Sequence, residues 1–353
     1  MMLVGCLIFA AEIFAADNDP EHVNSAGQAA QAQQVHGPEH GSEGGHGDEG
    51  AHAGGHGHPD LGRILPLYAC IPFACMLLSI ALLPLVAGTF WHHHFGKISA
   101  FWAASLAIPF VAVFKGDAVY EIVHIILADY VPFIILLWAL FTVSGGILLR
   151  GTLRGTPVVN TGIILLGTVL ASWMGTTGAA MLLIRPFLRA NDFRKNRTFM
   201  VVFFIFLVAN VGGSLTPLGD PPLFLGFLHG VSFFWTMNIA PHMLLTSVIL
   251  LVIYFFLDTR FFKKEGAIVP DDGEKKPLRL VGTYNFIFLG GIVGAVLMSG
   301  VLDLGEVNTF GVHRAMQDWL RDIILIVLGG LSLWATPWTL REENEFSWFP
   351  IIE

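Results

Sequence analysis

The sequence predicts an all-α polytopic membrane protein, and three observations carry that expectation. Of its 353 residues, 54% are hydrophobic and only 13% charged, with mean hydropathy +0.66; soluble domains carry roughly a quarter charged residues. Apolar runs long enough to cross about 30 Å of hydrocarbon recur after Leu61. The Lys and Arg residues fall in short clusters between those runs. That clustering offers no nucleic-acid surface. The cysteines Cys6, Cys70 and Cys75 form no CxxC pair and no disulfide framework, so redox chemistry is not supported. No GxSxG or HExxH motif points to an intramembrane enzyme.

Residues 1–16 are apolar and end in small residues at Ala15 and Ala16, which resembles a secretory signal. Residues 17–60 are polar and Gly-rich, and cannot bury a core. Within them His36, His40, His46, His52, His56 and His58 stand among acidic residues. They form either a loose divalent-metal site or a solvated tail with incidental metal affinity. Residues 61–353 form the transmembrane domain.

The expected spans are Ile64 to Val86, Ile98 to Phe114, Val131 to Leu149, a broken segment from Phe199 to Gly230, Ile239 to Leu257, Tyr284 to Leu302 and Ile323 to Trp338. His92, His93 and His94 read as a short loop. Val119 to Tyr130 is amphipathic, with Asp117, Glu121, His124 and Asp129 read as interfacial or lining an ion path. Gly311 to Trp319 reads as a short interfacial helix. His229 and His242 flank an outer turn.

The basic clusters are Arg150/Arg154, Arg189 to Arg197, Arg260 to Arg279 and Arg341, and the positive-inside rule asks that each be cytoplasmic. With the N-terminal tail periplasmic, three crossings bring Arg150 inside. Val158 to Leu188 must then leave and return on the same side. Its arms, roughly 24 Å and 15 Å of helix, predict a re-entrant hairpin with its tip at Met174-Gly175-Thr176-Thr177-Gly178. An ordinary pair of short helices, or one long tilted helix, is the other reading.

A second break is expected at Gly212-Gly213-Ser214-Leu215-Thr216-Pro217-Leu218-Gly219-Asp220-Pro221-Pro222, where Pro removes donors and stops a helix. Unwound backbone at membrane depth survives only where protein or a wet cavity surrounds it. Discontinuous helices of this kind build ion and substrate sites in secondary transporters; a Pro-rich loop outside the membrane is the alternative. Asp220 is an intramembrane carboxylate able to exchange Na⁺ for a proton, and it also stands at the N-cap of the helix that follows, a role compatible with the first. Ser172, Thr176, Thr177, Ser214 and Thr216 add hydroxyl oxygens that suit a hard cation, and Asn210 an amide oxygen.

Ser172 to Met181 (SWMGTTGAAM) and Asn210 to Leu223 (NVGGSLTPLGDPPL) together resemble the NhaD-type sodium/proton antiporters, within the ion transporter superfamily of arsenite permeases and dicarboxylate/citrate carriers. The likeness covers roughly Ile64 to Glu353. It implies an inverted-repeat fold with a re-entrant hairpin and a discontinuous helix per half, mainly the first repeat being present, so that the chain reads as C-terminally incomplete. It further implies Na⁺ or Li⁺ exchanged for protons across a bacterial inner membrane, no prosthetic group, a homodimer, and Thr176, Thr177, Ser214, Thr216 and Asp220 at the cation site. The helix-break positions are Gly175, Gly178, Gly213, Pro217, Gly219, Pro221 and Pro222. An anion or oxyanion permease is the nearest alternative, and a metal-sensing membrane protein acting through the His-rich tail the more distant one.

Overall fold

A computed structural model describes residues 64–266, 277–309, 311–348 and 351. The signal-like segment and the tail histidines lie outside the described residues. The chain divides into two compact units between Ile122 and Val123, and among the described residues five helical runs are long and apolar enough to cross a membrane.

In the first unit, α1 (Ile71–Val86) follows a 3₁₀ turn, and α2 (Gly88–Ile125) runs on into the second. Most side chains of α1 are exposed, including Leu77, Leu78, Leu82 and Leu85, while a stripe of Pro72, Cys75, Met76, Ser79 and Leu83 is wholly or partly covered; so much exposed apolar surface is costly in water and suits lipid. His92, His93 and His94 are helical and not a loop. The Nδ1–H groups of His93 and His94 donate back to the Thr89 and Phe90 carbonyls at 2.8 and 3.1 Å, so the helix itself absorbs their polarity. The second span stops where expected, because Lys115 adopts φ 47° and kinks α2.

In the second unit a π segment (Ile126–Tyr130) leads directly into α3 (Val131–Ser144). The amphipathic stretch and third span are therefore one helical run, and it ends at Ser144 rather than Leu149. Gly145 and Gly146 end it, and β1 (Leu148–Arg150) pairs antiparallel with β2 (Arg279–Val281). Next come α4 (Pro157–Met174) and α5 (Thr176–Ala190). Their far ends meet: Asn160 and Asn191 exchange side-chain hydrogen bonds of 3.0 and 2.8 Å, and the Gly155 N–H donates to the Ala190 carbonyl. This is a hairpin. Its turn is narrower than the sequence suggested, since Gly175 alone, at φ 79° and ψ 152°, is non-helical. Only glycine visits that backbone region cheaply. Thr176, Thr177 and Gly178 form the first turn of α5.

The broken segment comprises α6 (Thr198–Phe204), a π stretch to Asn210, a 3₁₀ turn (Val211–Leu215), an extended link, and α7 (Pro221–Leu228). The chain returns along α8 (Ala240–Lys264), leaves on α9 (Asn285–Val301) and comes back on α10 (Met316–Ala335), before the short α11 (Trp338–Glu343). Residues 311–319 are not an interfacial helix. Gly311, at φ 85°, turns a hairpin between β3 (Glu306–Thr309) and β4 (Val312–Ala315), and Val312 and Arg314 point inward around an exposed His313. That alternation has the period of a strand. The last span therefore starts at Met316 and takes in Asp318, Arg321 and Asp322.

The basic clusters gather at one end of this unit. Arg150 pairs with Glu343 at 2.6 Å and stands opposite Arg279 in the β1–β2 ladder. Arg194, from the loop after α5, is fully buried against Asp258 of α8 at 2.8 Å and against Glu265 at 3.0 Å. Arg341 is also fully buried, donating to the Thr142 and Ser332 carbonyls at 2.8 and 3.1 Å. It thereby serves the negative ends of two helices, α3 and α10. The same end thus holds both feet of the hairpin, as the charge pattern required.

Candidate functional site

The two breaks lie against each other. The Ser172 hydroxyl, near the end of α4, donates to the Gly212 carbonyl at 2.5 Å, and the Thr216 hydroxyl donates in return to the Ser172 carbonyl. At the turn, the Thr176 N–H donates to the Gly219 carbonyl at 3.1 Å. Glycine is needed for this closeness: a Cβ on Gly213 would stand 2.7 Å from Thr176 Cγ2 and 2.9 Å from the Gly219 carbonyl oxygen. Some 12 residues of α4 separate Asn160 from Ser172, roughly 18 Å of helix, and α7 adds roughly 12 Å beyond the break. The two lengths add up to about the thickness of a bilayer's hydrocarbon.

Beside the junction is a cavity of about 110 Å³, walled by α3 from Phe133 to Phe141, by the hairpin turn from Met174 to Gly178, by Pro217 to Pro221, and by Phe224 and Ile351. It has room for several waters. Asp220 is the single ionisable side chain among the described residues that line it. The carboxylate does not cap α7, and the sequence explains why. An N-cap side chain accepts from the second or third N–H of its helix. Pro222 has none to give, and the Leu223 N–H is taken by Asp220's own carbonyl at 3.1 Å. The carboxylate oxygens are left for something else.

Thr176 and Thr177 also line the cavity, and the N–H groups of Thr177 and Gly178 open a helix where none has an intrahelical partner. Ser172 and Thr216 are buried just behind, stitching the breaks together. Two of the expected oxygens face elsewhere. Ser214 donates to Val211 in its own turn at 2.8 Å, and Asn210 is exposed with its amide on the Ile205 carbonyl at 3.0 Å. Pro217, Gly219 and Pro221 are on the cavity wall, and Pro222 is not. At the end opposite the basic clusters, His229 Nε2 lies 3.8 Å from Asp129 Oδ1. His242 is exposed. Among the described residues no group of three His, Cys, Asp or Glu is placed to hold a metal ion.

Sequence reasoning missed the buried polar clusters that frame the site. Asn160 and Arg194 converge on Asp258, which Tyr254 also approaches with its hydroxyl at 3.4 Å. On α10, Arg321 and Asp322 are buried together with Arg314. A legible signal existed: Asp258 and the Arg321-Asp322 pair each adjoin long apolar runs, and charge so placed is seldom idle.

Two helix interruptions interlocked inside an apolar bundle, with a carboxylate and a helix start facing one cavity, define an all-α membrane transporter. The chain belongs to the family described as "Putative citrate transport", whose model matches residues 62–353. Comparisons with curated proteins and with solved structures find no match. The likeness to ion transporters thus holds at the level of a multi-pass transporter, and the family match does not single out the sodium/proton antiporter branch.

Proposed function

We propose that this protein is a secondary transporter of a small carboxylate anion of the citrate class, driven by a cation that binds at Asp220. The membrane would be a bacterial inner membrane, with the N-terminal tail on the outer side. The observation that supports it most is the uncommitted Asp220 carboxylate on the wall of a cavity that also receives the start of α5. Na⁺, Li⁺ or a proton is held by Asp220, with the Thr176 and Thr177 hydroxyls as further ligands. The substrate carboxylate faces the Thr177 and Gly178 N–H groups, where the helix dipole favours negative charge. Cation and anion in one cavity neutralise each other, which lowers the cost of carrying both through lipid.

A second reading is Na⁺/H⁺ exchange without an organic substrate. It is favoured by one feature: none of the described residues lining the cavity is Lys, Arg or His, although citrate is a multiply charged anion. Proteoliposomes separate the two. Labelled-citrate uptake that follows an imposed Na⁺ or pH gradient supports the first, and collapse of a pH gradient by Na⁺ without citrate supports the second. Asp220→Asn should abolish cation dependence in either assay. Cation dependence surviving that substitution would refute the assignment of Asp220.

A further inference from the structure

The first two turns of α10 place charge where it is costly. Arg321 is fully buried; its Nη1 donates to Asp318 Oδ1 at 2.8 Å, and its Nε and Nη2 to Asp322 Oδ1 at 3.0 and 2.9 Å. Arg314 Nη2 donates to Asp322 Oδ2 at 2.6 Å. Two guanidinium groups against two carboxylates leave no net charge with which to hold a ligand. What the cluster offers is a guanidinium plane fixed in place, and that plane lies over the Phe224 ring, 5.5 Å from its centroid.

Phe224 is fully buried, lines the cavity, and stands one helical turn beyond Asp220. A helix as short as α7, with eight residues, cannot fix its own position. The neighbouring helix α9 supports the same seat. Ser299 Oγ is 3.4 Å from Arg321 Nη1, and the adjacent Gly300 leaves space for the Phe227 ring, which a Cβ would approach to 2.9 Å.

We propose that Arg321 is a positioning residue for the cavity: by holding the Phe224 ring it sets the half-helix α7, and with it the place of the Asp220 carboxylate. This rests on the reading of Asp220 as the cation site. Loss of Arg321 altogether would take the cation from half-buried Asp318 and leave buried Asp322 with Arg314 alone, so the informative variants are Arg321→Lys, which keeps the charge without the plane, and Phe224→Leu, which keeps apolar bulk without the ring.

The purified full chain is examined by amide hydrogen exchange and, in proteoliposomes, by the Na⁺ concentration giving half-maximal transport. Both variants should speed exchange in residues 221–228 while residues 157–190 keep their wild-type protection. Both should raise the Na⁺ half-saturation by about five- to thirty-fold, the span of one cation–π contact worth about 1–2 kcal/mol at 1.4 kcal/mol per ten-fold. Phe224→Tyr should shift it less than Phe224→Leu, and the double variant no more than the larger single. Unchanged exchange at 221–228 in both variants, or exchange accelerated evenly along the chain, would overturn the proposal. Asp220→Asn in the same preparations separates the two claims. If it retains Na⁺ dependence while 221–228 loosens in the other variants, the function reading falls and the positioning role stands. If it loses Na⁺ dependence while 221–228 is unmoved by the other variants, the positioning role alone falls.

Discussion

Gly219→Ala tests the interlocking of the two breaks directly. A Cβ at this position would lie 2.1 Å from the Gly213 carbonyl oxygen and 2.7 Å from its carbon, against roughly 3.3 Å for a tolerable carbon–oxygen contact. The obstacle is backbone and cannot swing aside, so the link must shift by roughly 1.2 Å, given that same contact distance. Overpacking of this sort costs about 1–3 kcal/mol. The shift also pulls the Gly219 carbonyl from the Thr176 N–H, a bond of 3.1 Å worth about 0.5–1.5 kcal/mol net. A destabilisation of about 1.5–4.5 kcal/mol follows from those two effects, together with a displaced Asp220. Gly162→Ala is the matched control. Nothing lies within 4 Å of a Cβ there, and in mid-helix the change should gain about 0.5–1 kcal/mol. Thermal unfolding in detergent and cation-dependent uptake in proteoliposomes read both. Gly219→Ala should melt lower and transport at least about ten-fold more weakly, if as little as 1.4 kcal/mol of the cost reaches the binding step. A Gly219→Ala protein with native melting and native uptake would refute the interlocked geometry.

Other expectations follow from the same contacts. Ser172→Ala leaves the Gly212 carbonyl without its donor and Thr216→Val leaves the Ser172 carbonyl without its own. Each should cost about 1–3 kcal/mol, and the double variant less than their sum because both stitch one junction, as a double-mutant cycle of melting curves would reveal. Asp258→Asn strips one of two carboxylate partners from the fully buried Arg194, Glu265 remaining, and should cost about 3 kcal/mol, the low end for a broken buried pair, with loss of folded protein on size-exclusion chromatography. Glu265, outside the spans, feels burial that raises its pKa, but the Arg194 guanidinium and the Asn196 amides outweigh this and hold it below the usual carboxylate value. A carboxylate depressed in the folded state contributes stability that is fully present above its unfolded value of about 4.3 and is lost as pH falls through the lower folded value. Glu265→Gln should therefore lower stability at neutral pH and flatten its decline on the acid side, measured as melting temperature against pH.

Class, path and the two interruptions were legible in the residues alone. Apolar runs of bilayer length allow only a helical bundle here, because lipid cannot solvate peptide groups. Basic residues confined to alternate loops required the segment around Gly175 to turn back, and the hairpin closed by Asn160 and Asn191 obeys that requirement. Pro217, Pro221 and Pro222 made a break unavoidable, since a missing N–H is a local fact. What the sequence could not supply is which groups meet across long separations. Whether Asp220 caps its helix or faces a cavity, whether Ser214 reaches the site or folds onto its own turn, and whether Arg194, Arg321 and Arg341 lie in water or in the core all depend on where neighbouring helices pack. Those answers come from contacts between residues scores of positions apart. Periodicity and charge count carry no record of them; the packing of the helices sets them.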